Sequence, residues 1–460
     1  MWPDLKSDLN RIGEILSTTQ DYAASILEAV SARPVTAEPH APEPVGLQKV
    51  GQGFEVALAD FKTRWAPGFS GSAGPRYLGF VTGGATPASL AGDWLTSVFD
   101  QNPTSGLDST APDLERETID WLREMFGISD AHSGCFVTGA TMSNMVGLAI
   151  GREWLGEQVG LSVSEDGTAA LGTTHVLSGA PHSSVYKALS MLGFGRRAMK
   201  RIALLPAREA VDIFALEEQL RALKGAPAIV VANAGTVNTV DFDDLPAVVE
   251  LRTRYNFWLH IDAAFGGFAA LTEEHAYLVS LLDQADSICI DCHKWLNVPY
   301  DSALQFTRRR DLQVRVFQNY ASYLGVPQGV PDFVHLTPEN SRRLRALAAW
   351  FSLATYGKEG HRDIVQRNID AARRLGKHIQ SESRLSLLDP VRMNVVCFTL
   401  ADDPCEERVQ ALVRRLRDRG EAFLTPTTLH GTWALRAAFS NWRTEVDEAD
   451  RVFAAIVAAL

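Results

Sequence analysis

The sequence predicts an α/β chain built on a largely parallel sheet, and three observations predict it. From about residue 110 onward, short apolar runs of strand length alternate with longer runs whose apolar residues recur at helical spacing, the pattern of βαβ units. The residues with chemistry to offer, Thr138-Gly139, Gly235-Thr236, Asp262 and Lys294, fall where such apolar runs end. Ligands of parallel sheets collect at those carboxyl ends. At 460 residues, with 46% apolar and 22% charged side chains, the chain can bury a large core in roughly two or three domains.

Charge and composition narrow the function classes. The formal net charge of −11, from 44 basic and 55 acidic side chains, favours solubility and argues against a broad nucleic-acid surface. No apolar run approaches the length of a membrane span. The start, MWPDLKSDLNRIGEIL, lacks the basic flank and apolar block of a signal peptide, so a cytoplasmic protein with no membrane partner is expected. The five cysteines, Cys135, Cys289, Cys292, Cys397 and Cys405, are odd in number and show no repeated metal-type spacing. They are expected to be reduced and structural, with no metal bound.

Taken in order, residues 5 to 30 place Leu5, Leu9, Ile12, Leu16, Ile26, Leu27 and Val30 close to helical spacing, an amphipathic helix that needs a partner surface. SARPVTAEPHAPEPVG, with four prolines, must run extended. GPRYLGFVTGGATPASLAGDWL is rich in glycine and small residues, and Gly83-Gly84 permits either close backbone approach or a plain turn. DLERETIDWLREMFG reads as a helix stopped by Gly127. CFVTGATMSNMVGLAIGREW reads as strand, glycine turn and helix. The first N–H groups of that helix, with the hydroxyls of Thr138, Thr141 and Ser143, form a cup suited to an anion. An ordinary strand-to-helix turn is the better reading of this stretch in isolation, since neither a Walker loop nor G-x-G-x-x-G is present.

His182 stands just before a short helix in SGAPHSSVYKALSMLG, where it can be a cap, a core residue or a catalyst. Helix 216–223, strand AIVVAN, a helix through Val248 to Leu251 and strand FWLHID follow. The second half of LQFTRRRDLQVRVFQNYASYLGVPQGVPDFVHLTPEN, after Lys294, is short of periodicity and carries Gly325, Pro327, Gly329, Pro331 and Pro338, a loop signature. LRALAAWFSLATYGKEG begins a helical block that opens a smaller C-terminal domain. There RMNVVCFTL and TWALRAAF read as strands, and Val452, Phe453, Ile456, Val457 and Leu460 as a last helix with Thr444 as its cap. The expected division is 1–85 as a helical and extended segment, 86–335 as a large domain and 336–460 as a small α+β domain.

The centre of the chain is SICIDCHKWLNVPY, where a buried run ends in Asp291, Cys292, His293 and Lys294. Upstream, FWLHIDAAFGGF delivers Asp262 from a second such run. A carboxylate at the end of one buried strand and an amine at the end of another suit pyridoxal phosphate, whose aldehyde needs an amine and whose ring nitrogen needs an acid.

TGATMSN, GAPHSSVYKA, ANAGTVNTVDFDDL, HIDAAFGG and DCHKWLNVPYD, in that order, resemble the group II pyridoxal-phosphate-dependent decarboxylases, the aromatic amino acid, glutamate and histidine decarboxylases among them. The resemblance runs from about Gly74 to the C-terminus. It implies the aspartate aminotransferase-like fold (fold type I), pyridoxal 5'-phosphate as cofactor, and a homodimer wrapped by the N-terminal segment. It implies that Lys294 forms the Schiff base, that Asp262 pairs with the ring nitrogen, and that His182 stacks on the ring near the substrate carboxylate. Ala264 matches the small residue under the ring, Thr236 the threonine near its phenolic oxygen, and Ala140, Thr141 and His293 the phosphate contacts. Arg436 aligns with an arginine that holds the substrate carboxylate in some members, or else it supports the fold.

Three departures stand out. Asp291 and Cys292 replace the asparagine-proline common before His-Lys, and phosphate binding is not carried to Asp291 because a carboxylate would repel it. The region matching the aromatic pocket reads Phe80, Val81 and Thr82, smaller and less aromatic. The segment after Lys294 is short, with Tyr320 and Tyr323 as the only matches for the loop tyrosine that reprotonates the product. The expected reaction is decarboxylation of an L-amino acid to its amine. The alternatives are an aldehyde synthase or carbon–carbon lyase on the same scaffold, and a non-catalytic scaffold dimer.

Overall fold

The computed structural model describes residues 1–37, 41–319 and 329–460. Its larger sheet has seven strands: β1 Ser133–Val137, β2 Val176–Ser178, β3 Met199–Arg201, β4 Ala228–Asn233, β5 Phe257–Asp262, β6 Ser287–Ile290 and β7 Ala303–Thr307, in the spatial order β1-β7-β6-β5-β4-β2-β3. β7 runs antiparallel to both of its neighbours, and every other pairing is parallel. The chain returns from β6 to β7 without a crossover helix of full length, which allows only the antiparallel sense. β4 and β5 are buried at every position, so they read as continuous apolar runs rather than alternating ones.

β1, β4, β5 and β6 therefore point the same way, and Gly139, Thr236, Asp262 and Lys294 gather at one edge. Helix Ala140–Gln158 crosses behind β5, β6 and β7. The smaller sheet is antiparallel: β8 Leu385–Leu387, β9 Val395–Leu400, β10 Thr425–Leu429 and β11 Thr432–Ala438, ordered β10-β11-β9-β8. His430 and Gly431 make its hairpin turn with φ of 49° and 82°, the left-handed pair that a two-residue turn requires. Helices Glu406–Arg419 and Glu448–Ala459 cover the sheet around Phe398, Phe439 and Leu435.

Several expectations change. The N-terminal helix is two, Pro3–Asn10 and Ile12–Ala29, broken at Arg11, and neither buries a residue. Part of the glycine-rich stretch is a helix, Pro87–Phe99, whose Thr86 cap accepts Ser89 N–H. Threonine followed by proline is a helix-start signal that the surrounding glycines obscured. Thr444 does not cap the last helix; Asp447 occupies that position, and Thr444 is buried. The C-terminal helical block is one long element, Ala346–Ser381, interrupted at Gly357 with φ 60° and ψ −174°. All five cysteines are free. Among the described residues no helix is long and apolar enough to cross a membrane, and no cluster of side chains suits a metal ion.

Candidate active site

Asp262 is the last residue of β5 and is 7% exposed. Its Oδ2 accepts Nδ2 of Asn144 at 2.8 Å and its Oδ1 accepts the Ala264 N–H at 3.2 Å. Asn144 sits about one turn into helix Ala140–Gln158, so the strand end and the helix start are tied together. Lys294 follows β6 in the short turn Cys292–Trp295. Its Nζ lies 3.5 Å from Asp291 Oδ2 and 5.6 Å from the centre of the Phe265 ring. The backbone at Gly83 passes so close that a Cβ there would fall 1.9 Å from the Lys294 carbonyl oxygen.

These groups open on a cavity of about 680 Å³. Lys294, Asp262, His182, Ala264 and Thr236 line it, as do Ala140, Phe80, Val81 and Arg436. Three candidates do not. Thr82 is buried with its hydroxyl turned back to the Gly79 carbonyl at 3.5 Å. Thr141 is exposed on the first turn of its helix. His293 meets its neighbours instead, with Nε2 3.1 Å from Asp291 Oδ1 and its ring 4.3 Å from that of Tyr300. Tyr320 and Tyr323 lie outside the described residues.

The charges are specifically placed. Asp291 is 2% exposed, and its Oδ2 accepts the Ala140 N–H, the first of the helix, at 3.2 Å. Burial lowers the His293 imidazolium below its ordinary range, with Asp291 opposing. His182 caps its own helix: the Ser184 N–H and hydroxyl approach its Nδ1 at 3.3 and 2.8 Å. Burial also lowers the His182 imidazolium, Asp262 pulling it back and Lys294 pushing it further down. Arg436 donates to the carbonyls of Val237 and Phe80 at 2.7 and 3.0 Å and to the Thr425 hydroxyl at 3.4 Å. Burial lowers it to about 10. It joins the small sheet to the cavity wall through backbone acceptors, and no carboxylate pairs with it among the described residues.

Sequence reading passed over Asn144, although it lies inside the TGATMSN motif. It also passed over Glu209, a buried carboxylate on the cavity wall that accepts the hydroxyls of Thr236 and Thr239 at 2.7 and 2.8 Å. Nothing in AREAVD marks Glu209 as a site residue, because the loop that presents it has no periodicity.

The profile of the pyridoxal-dependent decarboxylase conserved domain matches residues 39–401. The chain belongs to that family. As a pyridoxal-dependent decarboxylase it is a carboxy-lyase acting on an amino acid, with pyridoxal 5'-phosphate as cofactor. It is 29% identical over 388 residues to an aromatic-L-amino-acid decarboxylase of Bacillus atrophaeus, covering 81% of this chain and 78% of that one. It is 27% identical over 384 residues to an L-2,4-diaminobutyrate decarboxylase of Acinetobacter baumannii, covering 78% and 73%. The fold matches that of Oryza sativa TDC with PLP and tryptamine at a TM-score of 0.90 and 22% identity, over 98% and 97% of the two chains.

The decarboxylase's cavity suits that cofactor by its donor set. An amine, a hydrogen-bonded carboxylate and a methyl-sized Ala264 meet on one wall. The helix start suits it less, because Asp291 already occupies the Ala140 amide.

Proposed function

We propose that this decarboxylase removes the α-carboxylate of an L-amino acid and releases the amine, with Lys294 as the residue that carries the cofactor. The observation that carries the reading is the meeting of Lys294, Asp262 and His182 on one cavity wall, with Asp262 held by two hydrogen bonds. When bound, pyridoxal phosphate supplies an aldehyde for amines and a ring that takes up an electron pair.

The chain's own residues would do the rest. Lys294 Nζ would hold the aldehyde carbon and Asp262 the ring nitrogen. Ala264 would leave room beneath the ring, and His182 would lie over it. Ala140, Thr141 and His293 would serve the phosphate end and Thr236 the phenolic oxygen. Asp262, ordered by Asn144 and Ala264, presents a fixed carboxylate that would keep a proton on the ring nitrogen when the cofactor is bound. Phe80 and Val81 wall the side where a substrate side chain would enter, with Thr82 behind them. Tyr320 and Tyr323 are the candidates for returning a proton to the product. Arg436 would orient substrate only through the donors its carbonyl contacts leave over.

The assembly proposed is a homodimer in the cytoplasm. Trp2, just ahead of the first helix, and Leu5, Leu9, Ile12 and Leu16 on the first two helices are each more than half exposed, an apolar face that a second copy would cover. Segments 1–85, 86–335 and 336–460 remain the proposed division.

Borohydride reduction of the holoenzyme followed by peptide mapping tests the assignment. The cofactor should be fixed to Lys294, and Lys294→Ala should abolish turnover. A different modified lysine, or an active Lys294→Ala, would remove the centre of this reading.

A further inference from the structure

Behind Asp262 and His182 lies a continuous chain of hydrogen bonds whose direction can be read at both ends. Trp258 Nε1 can only donate, and it donates to Ser287 Oγ at 3.0 Å. Ser287 Oγ meets His260 Nδ1 at 2.7 Å, and His260 Nε2 meets Asn144 Oδ1 at 2.9 Å. Asn144 Nδ2 meets Asp262 Oδ2 at 2.8 Å and Ser184 Oγ at 3.0 Å. Ser184 Oγ then meets His182 Nδ1 at 2.8 Å. His260, Asn144, Ser287 and Ser184 are all buried, so no solvent is at hand to substitute for a missing partner.

Each proton in this chain has one place. The Asp262 carboxylate can only accept, so the amide nitrogen of Asn144 must face it and the amide oxygen must face His260. His260 Nε2 therefore carries its proton, and Nδ1 accepts from the Ser287 hydroxyl. Complete burial keeps that ring neutral, lowering it to about 4. On the other branch, the second amide hydrogen of Asn144 goes to Ser184 Oγ. The Ser184 hydroxyl has then only His182 Nδ1 to donate to, and the Ser184 N–H reinforces it at 3.3 Å.

We propose that Asn144 and Ser184 are positioning residues that link the two groups of the reaction, Asp262 and His182, and lock His182 as the neutral tautomer with its proton on Nε2, directed to the cavity. His182 thereby offers a hydrogen-bond donor of fixed polarity to a substrate carboxylate or to a carbon awaiting a proton. Protonation at Nδ1 would break the bond from Ser184, so the linkage resists the imidazolium form. The charged groups that face His182 are Asp262, Lys294, Arg436 and Asp291, and Ser184 adds a control that none of them supplies. The inference rests on the roles given above to Asp262 and His182.

The test is the nitrogen spectrum of His182 in holoenzyme labelled with ¹⁵N-histidine, assigned by its loss in His182→Gln. Near pH 7 the wild type should show Nδ1 bare and Nε2 protonated. In Ser184→Ala the His182 titration midpoint and the acid limb of kcat/KM should both move to higher pH by about 0.7 unit, one typical net hydrogen bond expressed on the pH scale. The cofactor absorbance should stay as in wild type. Asn144→Ser should move both the midpoint and the absorbance, because it also releases Asp262.

A proton on Nδ1 in the wild type, or an unmoved midpoint in Ser184→Ala, overturns the proposal. The spectrum reads the linkage whether or not His182 takes part in turnover. An active His182→Ala would instead count against the functional reading.

Discussion

The Asp291 carboxylate accepts the backbone N–H of Ala140 at 3.2 Å, at the start of the helix that opens the site. The amide that would greet a phosphate is already taken by a negative charge, with Lys294 Nζ 3.5 Å and His293 Nε2 3.1 Å from that carboxylate. Asp291→Asn should therefore tighten pyridoxal 5'-phosphate by about tenfold or more while leaving pyridoxal, which has no phosphate, little changed. Equilibrium titration of the apoenzyme with both compounds reads the ratio. An unchanged ratio would show that Asp291 does not oppose the phosphate.

Arg436 should matter to folding before it matters to substrate. Arg436→Met strips donors from the part-buried carbonyls of Val237 and Phe80, and each hydrogen bond lost costs about 0.5–1.5 kcal/mol. The expected outcome is a lower Tm together with a raised KM. A large rise in KM at wild-type Tm would instead mark Arg436 as a direct substrate contact.

The edge of the sheet was legible because each strand there ends in a residue with chemistry. AIVVAN and FWLHID announce buried parallel strands by their unbroken apolar runs. β7 escaped because ALQFT ends in no residue with chemistry to mark it, and β2 and β3 have three residues each, too few for a period to show. In the site, Asp262 and Lys294 stood out by type and place. Asn144 and Glu209 did not, because their roles exist only through partners distant in sequence: Asp262, Thr236 and Thr239. Asp291 was recognised as a departure, but its contact with Ala140 is a tertiary fact.

Gly83 should tolerate no side chain. With a Cβ 1.9 Å from the Lys294 carbonyl, Gly83→Ala must push the lysine-bearing turn away from the cavity. Cofactor absorbance per protomer should fall well below wild type while far-ultraviolet circular dichroism is retained. Full occupancy in a folded Gly83→Ala protein would mean that the turn yields freely.

Acid should weaken the fold through two buried histidines. His260 and His361 are lowered from 6.5 to about 4 by burial. The fold therefore favours their neutral forms, and that stabilisation is complete above pH 6.5 and lost as pH falls toward 4. A shift of this size corresponds to roughly 3 kcal/mol for each ring at most. Guanidinium unfolding midpoints should fall steadily across that window, and His260→Gln should make the decline shallower. A midpoint independent of pH there would contradict the buried neutral rings.

The most direct measurement is the stoichiometry of products when cofactor-loaded enzyme meets a panel of L-amino acids. Carbon dioxide, amine and oxygen would be followed together. Decarboxylation predicts carbon dioxide and amine in equal amounts with no oxygen consumed, and loss of both in Lys294→Ala. Substrate consumed without carbon dioxide, or carbon dioxide accompanied by aldehyde, ammonia and oxygen uptake, would contradict it.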